Sequence, residues 1–283
     1  VETYRGFIFA NFDDAAPPLA DYLGRGRTMI DRKLNESPVG EIAVRPDPHV
    51  VTYRGNWKFQ SENIVDGYHF MRVHKGFAAL QEKYGDSTGD FGVHKGGTQA
   101  QMRRVRARVC SWGCPEGHGV CENPFLDLDR LLDGAHGAYY RALLAQHGEQ
   151  EMQWMYGGNF SCVFPNFGIL HHQIRTWRPL GPALTEVTFY TYDLKGAPDA
   201  VNEGWLHSQE RFYGPAGYGM PDDVEVFALN QQGLAGTAVE WLILERGLTT
   251  DTMTNSGDLR GYPSAETPQR AFWRRWQELM AVD

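Results

Sequence analysis

Cysteine is scarce. Four in 283 residues are too few to staple a fold, so all are expected to be reduced thiols. Basic residues are also in deficit, 27 Lys and Arg against 35 Asp and Glu for a net charge of -8, and they form no block. Binding to nucleic acid or to an anionic membrane surface leans on neutralised phosphates, so neither is an expected partner. No stretch approaches the roughly 18 apolar residues of a membrane span, and the N-terminus lacks the basic, apolar, small-residue order of a secretory signal, so the expected location is the cytoplasm. Internal repeats and low-complexity tracts are missing too. There is no initiator Met: Tyr4 to Phe9 reads as a buried strand without lead-in, as expected of a chain that starts mid-protein.

What remains is an ordinary globular composition, 42% hydrophobic and 22% charged, in a chain long enough to bury roughly three quarters of its unfolded surface. Leu19 to Leu23 reads as a short helix between Pro17-Pro18 and Gly24. Val51, Tyr53 and Gly55 alternate with polar residues, which predicts a strand over His49 to Trp57, and from Trp57 to His74 the pattern turns helical. Residues 85–123, with Gly96-Gly97 and Arg103, Arg104, Arg106 and Arg108, read as a long surface excursion containing one strand over residues 102–109. Asp127 to Gln146 is an amphipathic helix. Ser161 to Phe164, Gly168 to Trp177 and Leu184 to Leu194 are strands, and Asp199 to Arg211, Asp222 to Gln231 and Thr267 to Met280 are helices. The pattern predicts an α+β fold, an antiparallel sheet with helices gathered on one face.

One segment carries chemistry. In Asp66-Gly67-Tyr68-His69 the carboxylate and the imidazole are three apart, so on a helix they share a face and the acid can orient the ring. His74 follows five after His69, about 140° round a regular helix. Both rings can meet one ion only if the helix bends or ends there, which Gly67 and Gly76 permit. Iron(II) held by two imidazoles takes a carboxylate as third ligand, leaving positions open for oxygen and substrate. The candidate is Asp222-Asp223, where the Gly/Pro loop after Tyr213 opens a helix. Taken alone, the two histidines are equally readable as core or solvent-facing residues, and Asp222 as a helix cap.

Asn56-Trp57-Lys58, Glu62-Asn63, Asp66-Gly67-Tyr68-His69 and His74, then Gly214-Pro215-Ala216-Gly217 and Asp222-Asp223, together resemble the α subunit of Rieske non-haem iron ring-hydroxylating dioxygenases. Val163-Phe164-Pro165-Asn166 is similar to a strand lining that family's active site. The resemblance implies a helix-grip (Bet v 1/START-like) fold, a curved antiparallel sheet wrapped against a long helix. It implies residues 1–24 as the connector from an N-terminal Rieske domain and 25–283 as the mononuclear iron domain. It makes His69, His74 and Asp223 the ligands of Fe(II), and Asp66 the bridge that passes electrons from the [2Fe–2S] cluster of a neighbouring subunit. Cys-x-His and Cys-x2-His, the pairs that hold such a cluster, do not occur in this chain. The implied activity is addition of both atoms of O2 to an aromatic ring to give a cis-dihydrodiol. Electrons would come from NAD(P)H through a reductase and, in some systems, a ferredoxin, to α subunits in a trimer with or without β subunits. A monooxygenase of the same family and a helix-grip binding module without chemistry are the alternatives. A zinc-dependent hydrolase is a third.

By motif neighbourhood, Asn63, Phe70, Phe160, Leu170, Tyr213 and Gly219 correspond to pocket positions, each also readable as plain core. Gln173-Ile174-Arg175 resembles the benzoate-type strand, so Arg175, with Arg260 second, is the candidate to pair with a ring carboxylate. Two other groupings are set aside. Cys110, Cys114, His118 and Cys121 have zinc-ligand chemistry at a spacing no standard zinc module uses. His171-His172, read on a strand, would face opposite sides.

Overall fold

The computed structural model describes residues 1–84, 109–124, 126–171, 173–238 and 240–281. A hairpin of β1 (Glu2–Tyr4) and β2 (Phe7–Phe9) leads to helices α1 (Leu19–Leu23) and α2 (Arg25–Asn35), then to strands β3 (Ile42–Val44) and β4 (His49–Tyr53). Three short helices follow, α3 (Lys58–Ile64), α4 (Phe70–Val73) and α5 (Lys75–Tyr84). Beyond them come β5 (Cys110–Gly113), β6 (Gly119–Glu122), α6 (Leu128–Asp133) and α7 (Gly137–Tyr156). Four strands, β7 (Phe160–Val163), β8 (Phe167–Leu170), β9 (Gln173–Gly181) and β10 (Leu184–Leu194), precede α8 (Asp199–Tyr213) and α9 (Met220–Leu234). The last elements are β11 (Thr252–Met253), β12 (Leu259–Gly261) and α10 (Thr267–Met280).

The main sheet runs β11-β12-β5-β6-β7-β8-β9-β10-β3, with β4 also on β10, and every pairing is antiparallel. The α+β class expected from the pattern is therefore the observed one. Helices gathered on one face is not. Successive residues of a strand point to opposite sides, and here both sides are buried. Leu170, Trp177, Val187 and Phe189 enter a core with Ile64, Phe212, Met220 and Phe227. Their neighbours Ile169, Ile174, Tyr192 and Leu194 enter a second core with Leu23, Ile30 and Leu34 of α1 and α2. Burying an aliphatic or aromatic side chain of this kind contributes roughly 1.5–3 kcal/mol, so the sheet is held from both faces.

Four local expectations change. Residues 4–9 are not one buried strand but a tight hairpin, Tyr4 opposite Phe7, turning through positive φ at Arg5 and Gly6, with Ile8 exposed. Within residues 85–123, segments 110–113 and 119–122 are interior strands of the sheet and not a surface excursion, while the expected strand at 102–109 lies almost wholly outside the described residues. The helix expected over Asp127 to Gln146 is two helices divided at Gly134, the first capped by the Asp127 carboxylate on the Arg130 N–H. The long strand expected over Gly168 to Trp177 is a hairpin, β8 paired to β9 with Leu170 opposite Gln173.

Candidate metal centre

The continuous helix expected from Trp57 to His74 breaks after Ile64, and the break builds the site. In the turn, Oδ1 of Asp66 accepts the backbone N–H of Tyr68 at 2.7 Å and of His69 at 3.0 Å, closing a side-chain turn just ahead of α4. Only glycine fits at 67, because a Cβ would collide with the carbonyl of Pro263. His69 stands at the start of α4 and His74 at its end, so the rings converge with centroids 5.4 Å apart, although a regular helix would have splayed them.

Asp223 arrives from the first turn of α9, after the Gly214-Pro215-Ala216-Gly217 loop. Its Oδ1 lies 3.2 Å from Nε2 of His74 and 3.8 Å from Nε2 of His69. Asn63, on the last turn of α3, donates to the same oxygen at 3.1 Å and lies 3.3 Å from Nε2 of His69. The two adjacent acids divide: Asp223 is buried, while Asp222 is half exposed and sets Oδ2 3.6 Å from Nδ1 of His74. Asp66 does the same for His69, its Oδ1 3.8 Å from Nδ1. Each ring thus turns Nε2 to the centre and has a carboxylate near its other nitrogen, longer than a hydrogen bond but on the side where metal-bound imidazoles find outer support. Burial opposes a charge on His69, yet Asp66 and Asp223 outweigh it and hold its pKa above the ordinary imidazole value. The local field invites a cation. Among the described residues, His69, His74 and Asp223 are the group of His, Cys, Asp or Glu side chains whose ligand atoms, all within 4.8 Å of one another, could hold a metal ion. Two neutral imidazoles and one carboxylate, open on the cavity side, suit ferrous iron.

That cavity has a volume of about 250 Å³. Asn63, Phe70, Phe160, Leu170, Arg175 and Tyr213, all candidates from the sequence, line it together with Asp66 and the three convergent side chains. Gly219 does not. It lies behind Phe212, whose ring occupies the space a Cβ would need. Arg260 is also outside the lining, its guanidinium 5.9 Å from the Trp112 ring centroid.

Arg175 is buried between Tyr213 and Phe189, its guanidinium carbon 4.6 and 4.8 Å from their ring centroids. Nε donates to Gln173 at 2.6 Å, Nη1 reaches Gln60 at 3.5 Å, and Nη2 has no hydrogen-bond partner among the described residues. No carboxylate of the described residues forms an ion pair with it.

The sequence reading missed Phe212 and His171 as lining residues. Phe212 packs on His74 with ring centroids 5.1 Å apart and hides inside the apolar pattern of α8. His171 sits at the β8–β9 turn, not on a strand, and His172 lies outside the described residues. The zinc-like grouping is built otherwise: Nδ1 of His118 accepts the Phe164 N–H at 2.9 Å, and Nε2 faces the Tyr22 carbonyl at 2.8 Å. Both ring nitrogens are engaged, and Cys121 donates to the Val65 carbonyl.

Residues 36–282 match the model of a family described as the ring hydroxylating alpha subunit, catalytic domain. The chain belongs to that family. It is 32% identical over 249 residues to toluate 1,2-dioxygenase subunit alpha of Pseudomonas putida, covering 83% of this chain and 51% of the relative. It is 30% identical over 252 residues to the 2-halobenzoate 1,2-dioxygenase large subunit of Burkholderia cepacia, covering 86% and 52%. The chain therefore spans about half the length of these curated relatives. Among solved structures, naphthalene 1,2-dioxygenase from Rhodococcus sp. with indole bound superposes with a TM-score of 0.76 at 24% identity, over 99% of this chain and 65% of that one. The large antiparallel sheet with its helices is thus the fold of the family's catalytic domain, and the candidate centre falls within the matched residues. No helix among the described residues is long and apolar enough to cross a membrane.

Proposed function

We propose that the chain is the iron-bearing part of an oxygenase that adds both atoms of O2 to an aromatic ring, giving a cis-dihydrodiol. The observation that carries this reading is the convergence of His69, His74 and Asp223 on one edge of a mostly apolar cavity, in a chain of the ring-hydroxylating family. Those three side chains would hold ferrous iron, which when bound supplies the reductive activation of oxygen. Asn63 fixes the Asp223 carboxylate by hydrogen bonding. Phe70, Phe160 and Leu170 shape an apolar slot that orients a ring and keeps water from it.

Asp66, touching His69 and lining the cavity from the turn before α4, serves as the electron bridge. The electrons originate in NAD(P)H and arrive through a reductase, a ferredoxin in some systems, and a Rieske [2Fe–2S] cluster not carried by these residues. On this reading residues 1–24 are the connector to the cluster-bearing part, 25–283 form a helix-grip catalytic domain, and α subunits assemble as a cytoplasmic trimer, with or without β subunits.

The substrate is an aromatic carboxylate. Arg175 is a buried cation on the cavity wall with no ion-paired carboxylate among the described residues, and a ring carboxylate would supply one in bidentate fashion. The names of relatives acting on toluate, 2-halobenzoate and anthranilate point the same way. The test is anaerobic iron loading of the full α subunit, cluster-bearing part included, followed by turnover of benzoate with its electron-transfer proteins and NADH. Retained iron and a cis-diol product are expected; a protein that holds no iron, or that turns substrate over without oxygen, would refute the reading.

A further inference from the structure

His171 occupies a position whose backbone disfavours it. The two-residue connection between β8 and β9 opens with His171 at φ +42, a conformation that glycine or asparagine adopts far more readily in tight hairpins. The turn alone does not ask for histidine. Its imidazole lines the cavity, edge-on to Phe160 with ring centroids 5.0 Å apart, on the wall that Leu170 and Arg175 also form. Strain that is kept where a cheaper residue would serve the backbone marks a side chain kept for what it touches.

We propose that His171 is a specificity-determining residue that hydrogen-bonds the polar substituent of the ring held in this cavity. The proposal rests on the reading of the cavity given above. Arg175 supplies the charge for a carboxylate, and His171 supplies a directional contact that fixes the substituent and so decides which ring edge faces the metal group. The imidazole suits this role because it stays neutral: burial, with Lys33 and Arg175 nearby, pushes its pKa down to about 3. A neutral ring can donate to a carboxylate without a second buried cation beside Arg175.

The test is calorimetric titration of the full oxygenase, wild type and His171→Gly, with benzoate and with toluene, alongside melting temperature and iron content. Relief of the turn predicts an unchanged or higher melting temperature. The dissociation constant for benzoate should rise about tenfold, the scale of one hydrogen bond to a charged group, with that for toluene within about twofold of wild type. An unchanged benzoate-to-toluene ratio would overturn the proposal. If His171→Gly does not fold, His171→Ala, which offers no side-chain hydrogen bond, provides the same comparison, and the same criterion applies. Iron content separates the two readings: a wild type that binds benzoate selectively but no iron would sink the oxygenase reading and leave this subsite standing.

Discussion

Nε2 of His74 lies 3.2 Å from Oδ1 of Asp223, although one residue ends α4 and the other opens α9. Neither helix alone could hold an ion. The contact exists because α8, the Gly/Pro loop and α9 fold back over the break between α3 and α5.

Removing a ligand should remove the metal and its stabilisation. A site filled at about a hundredfold above its dissociation constant stabilises the fold by about 2.7 kcal/mol. Wild-type protein is therefore expected to melt several degrees lower after chelation. Asp223→Ala, His69→Ala and His74→Ala should each lose that difference together with iron content by metal analysis. Full iron retention in all three would remove the assignment.

Asp66→Asn separates electron delivery from metal binding. The amide oxygen can still accept from the Tyr68 and His69 N–H groups, so the turn and iron content should persist. Turnover in the full α subunit should drop by at least about tenfold, one decade being about 1.4 kcal/mol of barrier. Single-turnover rates compared at equal iron content check this, and unaltered rates would exclude the bridge.

Gly219→Ala tests a residue behind the cavity. The new methyl group would meet the Phe212 ring, which packs on both His74 and Phe70. Overpacking of this kind costs about 1–3 kcal/mol. Denaturant midpoints should fall by that amount, with weaker iron retention because His74 is displaced; wild-type stability would mean that Phe212 moves freely.

His118 should make stability pH-dependent independently of the metal group. It is held neutral by accepting the Phe164 N–H, and burial pushes its pKa down to about 4. A folded-state pKa below the unfolded value of about 6.5 means the contribution is complete above that pH and is lost as pH falls towards 4. The shift corresponds to at most about 3 kcal/mol. Urea midpoints between pH 7.5 and 4.5 should fall more steeply in wild type than in His118→Gln, and parallel curves would refute the assignment.

The residues that met the eye in the sequence were those whose chemistry is sparse: two histidines, a paired acid and the glycines beside them. Their convergence was legible only as a condition, that the helix stop between His69 and His74, because Asp66 reads equally well as a helical partner of His69 and as the cap that ends the turn. Helix α10 was legible to the residue, since Pro268 and a regular apolar spacing mark it. Helix α2 was not. In Arg25–Asn35 charged residues crowd the apolar ones, and Lys33 is buried only because Glu36 pairs with it at 2.7 Å. Strands β8 and β9 merged in the reading because histidine stands where a hairpin usually announces itself with glycine or asparagine.

The double-sided sheet has a consequence for how this cavity can change. On β9, Ile174 belongs to the core under α1 and α2, while Arg175 faces the opposite side. A one-residue slip of β9 against its neighbours would exchange those roles, sending a guanidinium into an oily layer and an isoleucine to the ligand. New ligand preferences are therefore open to the protein by replacing single side chains, and closed to it by single-residue slips of the hairpin.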